Sequence, residues 1–481
     1  MGINTIFDIA SSGITANRLA IEVTGENISN VNTEGYSRQR VVMENKPVST
    51  ANGFALGTGV EIAAVQRSYD NMLQLQLVNA NSTYQESLAQ QSALEQIEPS
   101  FNSLTSDGLG TAVANFFGAF QDLSVNPSGS AERQAVLTRA QIMVDSFHQL
   151  DSSLTSVAST ADNNLVGITA EVTDNARNLA LVNTQILATN SVGGNANELL
   201  DQRDLLLRKL SEQVGVTYSV ANDGTASVTL AGGAQLVSST RYATLYTNAT
   251  GAPVTNDIMI SGLGSPPPAN APATDTLVGT VGDGATVGGK LGGTMEVRDS
   301  IVPKYRAMLD EMADEVVTQV NTLHAAGYAL DGSTGNDFFD AAGLTSGSIA
   351  LDAGLSAVKI AAGFPTATDP APTSSGNNEN ALKIANLGST SFAFSTGSAT
   401  FGNFYSSLVS QVGVDTEGTQ NVTTQNAAFL KQLNALRASN SEVSLDEELL
   451  NLTRYQRAFQ GSAKVVNAAT DMLDIVLGMV R

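Results

Sequence analysis

Hydrophobic positions recur along much of this chain in alternating steps of four and three, the spacing of a helix that buries a narrow seam against another helix. The pattern runs furthest near the C-terminal end, through Leu445, Leu449, Leu452, Gln456, Phe459, Ala463, Val466, Thr470, Leu473, Leu477 and Val480, of which only Gln456 and Thr470 are polar. Ser444 just ahead, with Glu447 three places on, reads as a capping box that starts the helix. The other end mirrors it. Ile3, Phe7, Ala10, Ile14, Asn17, Ile21, Thr24 and Ile28 keep the same step, and a second stripe of Ile6, Ile9, Gly13, Ala16, Ala20 and Val23 widens the face. Two amphipathic ends of this kind are expected to pack as an antiparallel pair.

Between them the pattern predicts a helix over 69–97 closed by Pro99, a second over 109–123 closed by Asn126-Pro127, and a long one over 131–189. In the long helix Val136, Ala140, Met143, Phe147, Leu150, Leu154, Val157 and Ala161 keep the 4/3 step. Leu165, Ile168, Val172, Ala176 and Leu179 then insert extra fours, a stutter that straightens a supercoil. At about 1.5 Å per residue this element is on the order of 85 Å long. Further helices are expected over 197–213, 293–325 and 404–439. Residues 40–65 read as an extended connector, 214–246 as a hairpin or meander, 251–293 as loop with short strands, and 327–372 as irregular with a short strand near 349–353.

The fold expected is mainly α with small β portions: an elongated molecule with paired N- and C-terminal coiled-coil helices and a long-helix middle domain carrying a β-hairpin or meander insertion. Its divisions fall at 1–64 for the N-terminal helix and connector, 65–213 for the first part of the long-helix domain, and 214–292 for the Gly- and Pro-rich insertion. The second helical part follows at 293–440, with a small insertion at 341–380, and 441–481 is the C-terminal helix.

Composition removes most other functions. A formal net charge of −22 with no Lys/Arg cluster argues against nucleic acid, whose phosphates require a basic stripe. No apolar run approaches the ~18 residues of a spanning helix, so membrane insertion is not expected. The N-terminus has no basic region and no uninterrupted apolar core of the kind a cleaved signal peptide needs. With no cysteine and two histidines, His148 and His324, thiolate metal sites and disulfides are excluded and no catalytic constellation can be assembled. Gly284-Ala285-Thr286-Val287-Gly288-Gly289-Lys290-Leu291 nearly fits a phosphate loop, but Leu291 stands where Ser or Thr must hold magnesium. The 331–337 turn resembles a calcium loop loosely, with Asn336 where glycine belongs. Asp201, Arg203, Asp204 and Arg208 read as a solvated salt-bridge face. No cofactor, metal or catalytic residue is expected, and the chain reads as a non-enzyme.

One stretch carries a family likeness. The run Leu19-Ala20-Ile21-Glu22-Val23-Thr24-Gly25-Glu26-Asn27-Ile28-Ser29-Asn30-Val31-Asn32-Thr33-Glu34-Gly35-Tyr36-Ser37-Arg38-Gln39-Arg40-Val41 closely resembles the N-terminal signature of the bacterial flagellar axial proteins. Its Tyr36-Ser37-Arg38-Gln39 ending resembles the hook-associated branch more than rod or hook subunits. Glu26 and Ser29 depart from the Asn and Ala common there. Leu199 to Leu206, Asp331 to Phe339 and Ser444 to Leu477 are similar to the same family's mid-chain helix, Asp-Gly turn and C-terminal helix.

The resemblance implies a structural subunit exported through the flagellar type III pathway without a cleaved signal and residing outside the cell in the flagellum. Its implied partners are itself in a ring-like layer, the hook protein on one side, the second hook–filament junction protein on the other, and an export chaperone before assembly. The implied assembly residues are Asn27, Asn30, Asn32, Thr33, Gly35, Tyr36, Arg38 and Gln39, with helix seams at Ile3, Phe7, Ile14, Ile21, Ile28, Leu445, Leu449, Leu452, Phe459, Val466, Leu473 and Leu477. A rod or hook subunit, or a free secreted coiled-coil protein, remains the alternative.

Overall fold

The structure, a computed structural model, describes residues 3–47, 49–51, 54–101, 108–250, 255–264, 276–278, 287–365 and 376–479. Helix α1 (Ile3–Ser29) leads into an antiparallel ribbon of β1 (Gln39–Asn45) and β4 (Val60–Arg67), with a short hairpin of β2 (Ser49–Ala51) and β3 (Phe54–Leu56) between them. Four helices follow: α2 (Asn71–Phe101), α3 (Leu109–Val125), α4 (Ser130–Ser191) and α5 (Asn197–Gln213). A four-stranded antiparallel sheet, β5 (Val216–Val220), β6 (Ala226–Leu230), β7 (Gln235–Ser238) and β8 (Arg241–Tyr242), comes next. A three-stranded sheet of β9 (Leu245–Thr250), β10 (Thr255–Ile260) and β11 (Thr276–Leu277) follows it.

The chain then returns to helix in α6 (Gly289–Glu296), one π turn (Val297–Ile301) and α7 (Val302–Ala326). Strand β12 (Tyr328–Ala329) pairs with β13 (Ala361–Gly363), and α8 (Glu379–Leu387) precedes a hairpin of β14 (Phe392–Phe394) and β15 (Gly397–Ala399). Helices α9 (Phe401–Ser441) and α10 (Leu445–Met479) complete the described chain.

Two cores lie along α4. Its first half, Val136 to Ala161, packs with Phe116, Phe120, Phe338, Phe339 and the faces of α2, α3, α7, α8 and α9. Its second half, Leu165 to Ala180, packs with α5, α6 and both larger sheets. The change from one core to the other falls where the 4/3 pattern stutters. A strict heptad keeps one face toward one neighbour, whereas added fours rotate the apolar stripe toward another.

Several expectations need correction. Pro99 does not end its helix. It sits inside the last turn of α2, which runs on so that Phe101 is buried 6.3 Å from the Tyr305 ring. The helix expected from 293 begins at Gly289 and passes through a π turn just before Pro303, which has no N–H for the carbonyl four residues back. No strand forms at 349–353; Leu351 makes only an isolated bridge to Phe339. The amphipathic helix α8, burying Ala381, Ile384 and Leu387, and the β14–β15 hairpin were not legible. Their apolar content is too short and too mixed to separate from loop.

Candidate assembly site

The signature segment folds into the joint between the terminal helices and the long-helix domain. Asn27 is its centre. The side-chain amide donates to Gln39 O at 2.9 Å and Glu448 Oε2 at 3.1 Å, and its Oδ1 accepts from the Tyr36 hydroxyl and the Gln39 N–H, each at 2.9 Å. All four hydrogen-bonding positions of a primary amide are therefore filled inside a buried site. A single residue ties the end of α1 to the turn after it, to β1 and to the start of α10. Burial pushes the Tyr36 phenol upward, so it stays a neutral donor to Asn27.

The turn between Asn27 and Gln39 is built from the signature's other polar residues. Asn30 donates to Glu26 O at 3.1 Å and accepts from Thr33 Oγ1 at 3.1 Å. Gly35 takes φ +85°, a backbone angle that favours glycine, and a Cβ there would press on Leu205 Cβ at 3.2 Å. Asn32 is exposed.

Arg38 and Gln39 reach outward from the joint in two directions. Arg38 spreads its guanidinium over Glu447 at 2.6 Å and Glu448 at 2.8 Å, and its N–H donates to Ser441 O. Glu447, expected to close a capping box with Ser444, thus turns to Arg38 instead. Gln39 Oε1 accepts from Asn197 Nδ2 at 3.0 Å, and Asn197 also holds Val65 O in β4.

Next to this contact Asp201 accepts from Ser37 N and from Arg67, both at 2.8 Å, and Arg67 bridges to Asp204 at 2.6 Å. Arg203 also pairs with Asp204, while Arg208 donates to Gln74 rather than to Asp204. The expected solvated face is thus a buried ion network. The signal for it was present: Asn197, Asp201, Asp204, Arg208 and Ser211 follow the 4/3 step, a polar seam turned toward the joint.

The terminal helices pair antiparallel, Asn27 meeting Glu448 near one end and Gly13 meeting Ser462 further along. A Cβ on Gly13 would lie 2.8 Å from Ser462 Oγ, so the backbones approach closely. The face of α1 buried against α10 is the small-residue stripe: Ala16, Ala20 and Val23, continued to Asn27. Phe7, Ile14, Ile21 and Ile28 are half-buried beside it; the Ile3 side chain lies outside the description.

On α10 the face turned to α1 carries Glu448, Leu452, Tyr455, Phe459, Ser462, Val466 and Ala469, all buried or half-buried. Of the seam residues read from sequence, Leu452, Phe459 and Val466 lie on this face. Leu445, Leu449, Leu473 and Leu477 are exposed, Leu449 by 52% and Leu477 by 58%. Ile475 and Met479 are exposed as well. Val480 falls outside the described residues.

The remaining candidate motifs have structural surroundings. His324 is fixed between Asn336 O at 2.7 Å and the Ala361 N–H at 3.0 Å, and burial holds its imidazole below the ordinary range. His148 contacts Ile349 O at 2.8 Å. Asp331 accepts from the Ser333 N–H and hydroxyl, closing its own turn. In the glycine segment residues 284–286 lie outside the description, while Gly288 and Gly289 pack against Gly215 and Val214 too closely for a Cβ. Among the described residues no group of three or more His, Asp or Glu is placed to hold a metal ion.

Comparison with known proteins bears on the same segments. Residues 94–339 match the flagellar hook-associated protein FlgK helical domain. Residues 7–36 match the flagella basal body rod protein family, and 435–479 match the C-terminal family of flagellar basal body rod FlgEFG proteins. Flagellar hook-associated protein 1 of Bacillus subtilis is 28% identical, with 99% of this chain and 97% of that protein covered. Its counterpart from Salmonella typhimurium is 26% identical over 99% and 100% of the two chains. In fold, the structure of the flagellar hook junction protein FlgK from Burkholderia pseudomallei is similar at a TM-score of 0.67, with 17% identity, covering 77% of this chain and all of that one. The chain belongs to the flagellar hook-associated protein FlgK family.

Proposed function

We propose that the chain is a non-catalytic structural subunit of the junction between flagellar hook and filament, assembling outside the cell by packing its terminal helix pair against the pairs of neighbouring copies. The observation that carries this reading is the unfilled side of α10. Leu449 and Leu450 are exposed on a helix whose other face is used by α1 up to Ala469, and beyond Ala469 every described residue is exposed, Leu473, Ile475, Leu477 and Met479 among them. A helix with apolar residues on two sides and one partner has a second partner to find. The relatives' names supply the setting, and the likeness to a hook junction protein's fold supports the same place.

In this reading the subunits form a ring-like layer that meets the hook protein below and the second junction protein above. Export through the type III pathway with a chaperone over the α10 seam would keep the apolar face covered until assembly. No described helix is long and apolar enough to cross a membrane, in keeping with an axial rather than a membrane-inserted subunit.

Deletion of residues 444–481 tests the proposal. The shortened chain should keep the folded helical domain and fail to add to isolated hook ends in an electron-microscopic binding assay. Normal addition would remove the proposal.

A further inference from the structure

Charge along α10 is sorted into blocks. Asp446, Glu447 and Glu448 open the helix, Arg454, Arg457 and Lys464 occupy its middle, and Asp471 and Asp474 follow, with no charge of the other sign inside any block. Glu447 and Glu448 are used by Arg38. The others are exposed, and none forms a salt bridge among the described residues. We propose that these blocks set the register of assembly: neighbouring copies of this chain pack side by side but offset along the helix axis, so that the basic block of one α10 lies against the acidic blocks of the next.

Asp446, Arg454, Arg457, Lys464 and Asp471 fall on one 4/3 line down the side of α10 away from α1, about half a turn round from the line through Glu448, Leu452, Tyr455 and Phe459 that α1 covers. Nothing on α1 neutralises the basic block. The contacts of Asn27 with Glu448 and of Gly13 with Ser462 set the intervening part of α1 alongside it, where Arg18 pairs with Glu22 and Glu26 lies level with the start of α10. Arg40, in a groove with Asn451 and Tyr455, adds a further positive charge. The occupant follows from charge. The chain as a whole carries −22, so the acidic surface of a second copy is repelled except where it meets a basic block. Parallel copies packed level with each other would set like blocks against like.

From the helical rise, the middle of the basic block lies about 20 Å from the acidic block on either side. Because the two spacings are nearly equal, one offset of that size satisfies both. Asp446 of one copy meets the basic block of its neighbour, and its own basic block meets that neighbour's Asp471 and Asp474. Screening keeps the choice local. The Debye length is about 8 Å at physiological salt, well under the spacing of the blocks, so each block responds to the one beside it and not to the next along. Leu449, Leu450, Ile475 and Leu477 supply apolar area, which is non-directional, and the charges supply the register.

The offset rests on the side-by-side packing proposed above, and the test separates the two. The chain has no cysteine, so single cysteines mark positions cleanly. Full-length copies carrying Gln456→Cys are mixed with copies carrying Ala468→Cys, added to isolated hook ends and joined with a short bifunctional thiol reagent. Both positions are exposed, and they stand about 18 Å apart along the helix. Mixed pairs should exceed same-site pairs about tenfold. Arg454→Glu, Arg457→Glu and Lys464→Glu together, in both kinds of copy, should remove the excess without changing urea unfolding of the monomer. Raising salt from about 0.05 M to about 0.5 M should weaken it with no charge altered. Lys431→Glu, an exposed base on α9, should leave it in place. Same-site pairs in excess, no pairs on occupied hook ends, or mixed pairs that survive both the reversal and the salt would overturn the offset and leave assembly through α10 standing. Normal addition after deletion of residues 444–481 would remove both.

Discussion

Helices α4 and α10 carry the same hydrophobic spacing and meet different surroundings. In α4 every 4/3 position from Val136 to Ala161 is buried, enclosed by helices of the same chain. In α10 only Glu448 and Ala469 are fully buried, and the large aliphatics toward the C-terminal end remain exposed. The spacing states that a helix has a face to bury; it does not state whose atoms will cover it. For α4 the cover lies within the chain, so its apolar area contributes to the stability of the monomer. For α10 half the cover is absent, so the corresponding stabilisation is available only to an assembly.

Substitutions should separate the two regions, and the largest effect belongs to the enclosed one. Phe338 is fully buried, with the rings of Phe116 and Phe120 each 5.6 Å away and Phe339 at 4.9 Å. Phe338→Ala should cost about 4 kcal/mol through lost burial and the cavity left behind, read from urea unfolding of the monomer. Asn27→Ala comes next, at about 3 kcal/mol for the joint, because it strands the Tyr36 hydroxyl and the Gln39 N–H in a buried site. Its signature is faster exchange across residues 27–39 with the α4 core unchanged.

Gly35→Ala should cost about 1–2 kcal/mol at the same joint, since the substitution keeps φ at +85° only under strain and presses on Leu205. The smallest effect on the monomer belongs to the exposed face. Leu477→Gln should change unfolding by less than about 0.5 kcal/mol and still lower addition to hook ends. A large loss of monomer stability from that substitution would mean that α10 is covered within the chain.

Sequence patterns showed the helices well and their partners poorly. The long α4 and the span of α5 were legible because periodic apolar positions continue for many turns, and the pairing of the chain ends because both carry such faces. Which stripe of α1 faces α10 was not. The bulky stripe through Ile14 and Ile21 attracts attention on hydrophobicity, whereas close antiparallel packing selects Gly13, Ala16 and Ala20, whose small side chains let the backbones approach.

The buried network of Asp201, Asp204 and Arg67 was hidden for a different reason. Alternating charges on one helix look solvated until the strand carrying Arg67 and the turn carrying Ser37 are folded over them. Asn27 showed as part of a signature, but one of its four bonds goes to Glu448, 421 residues away in sequence.

Hydrogen exchange on the isolated full-length monomer, compared with the same protein assembled on hook ends, tests the contrast most directly. The amides of α4 should be protected in both states. Those of α10 beyond Ala469 should exchange fast in the monomer and become protected only on assembly. Equal protection of α4 and the end of α10 in the monomer would contradict the account.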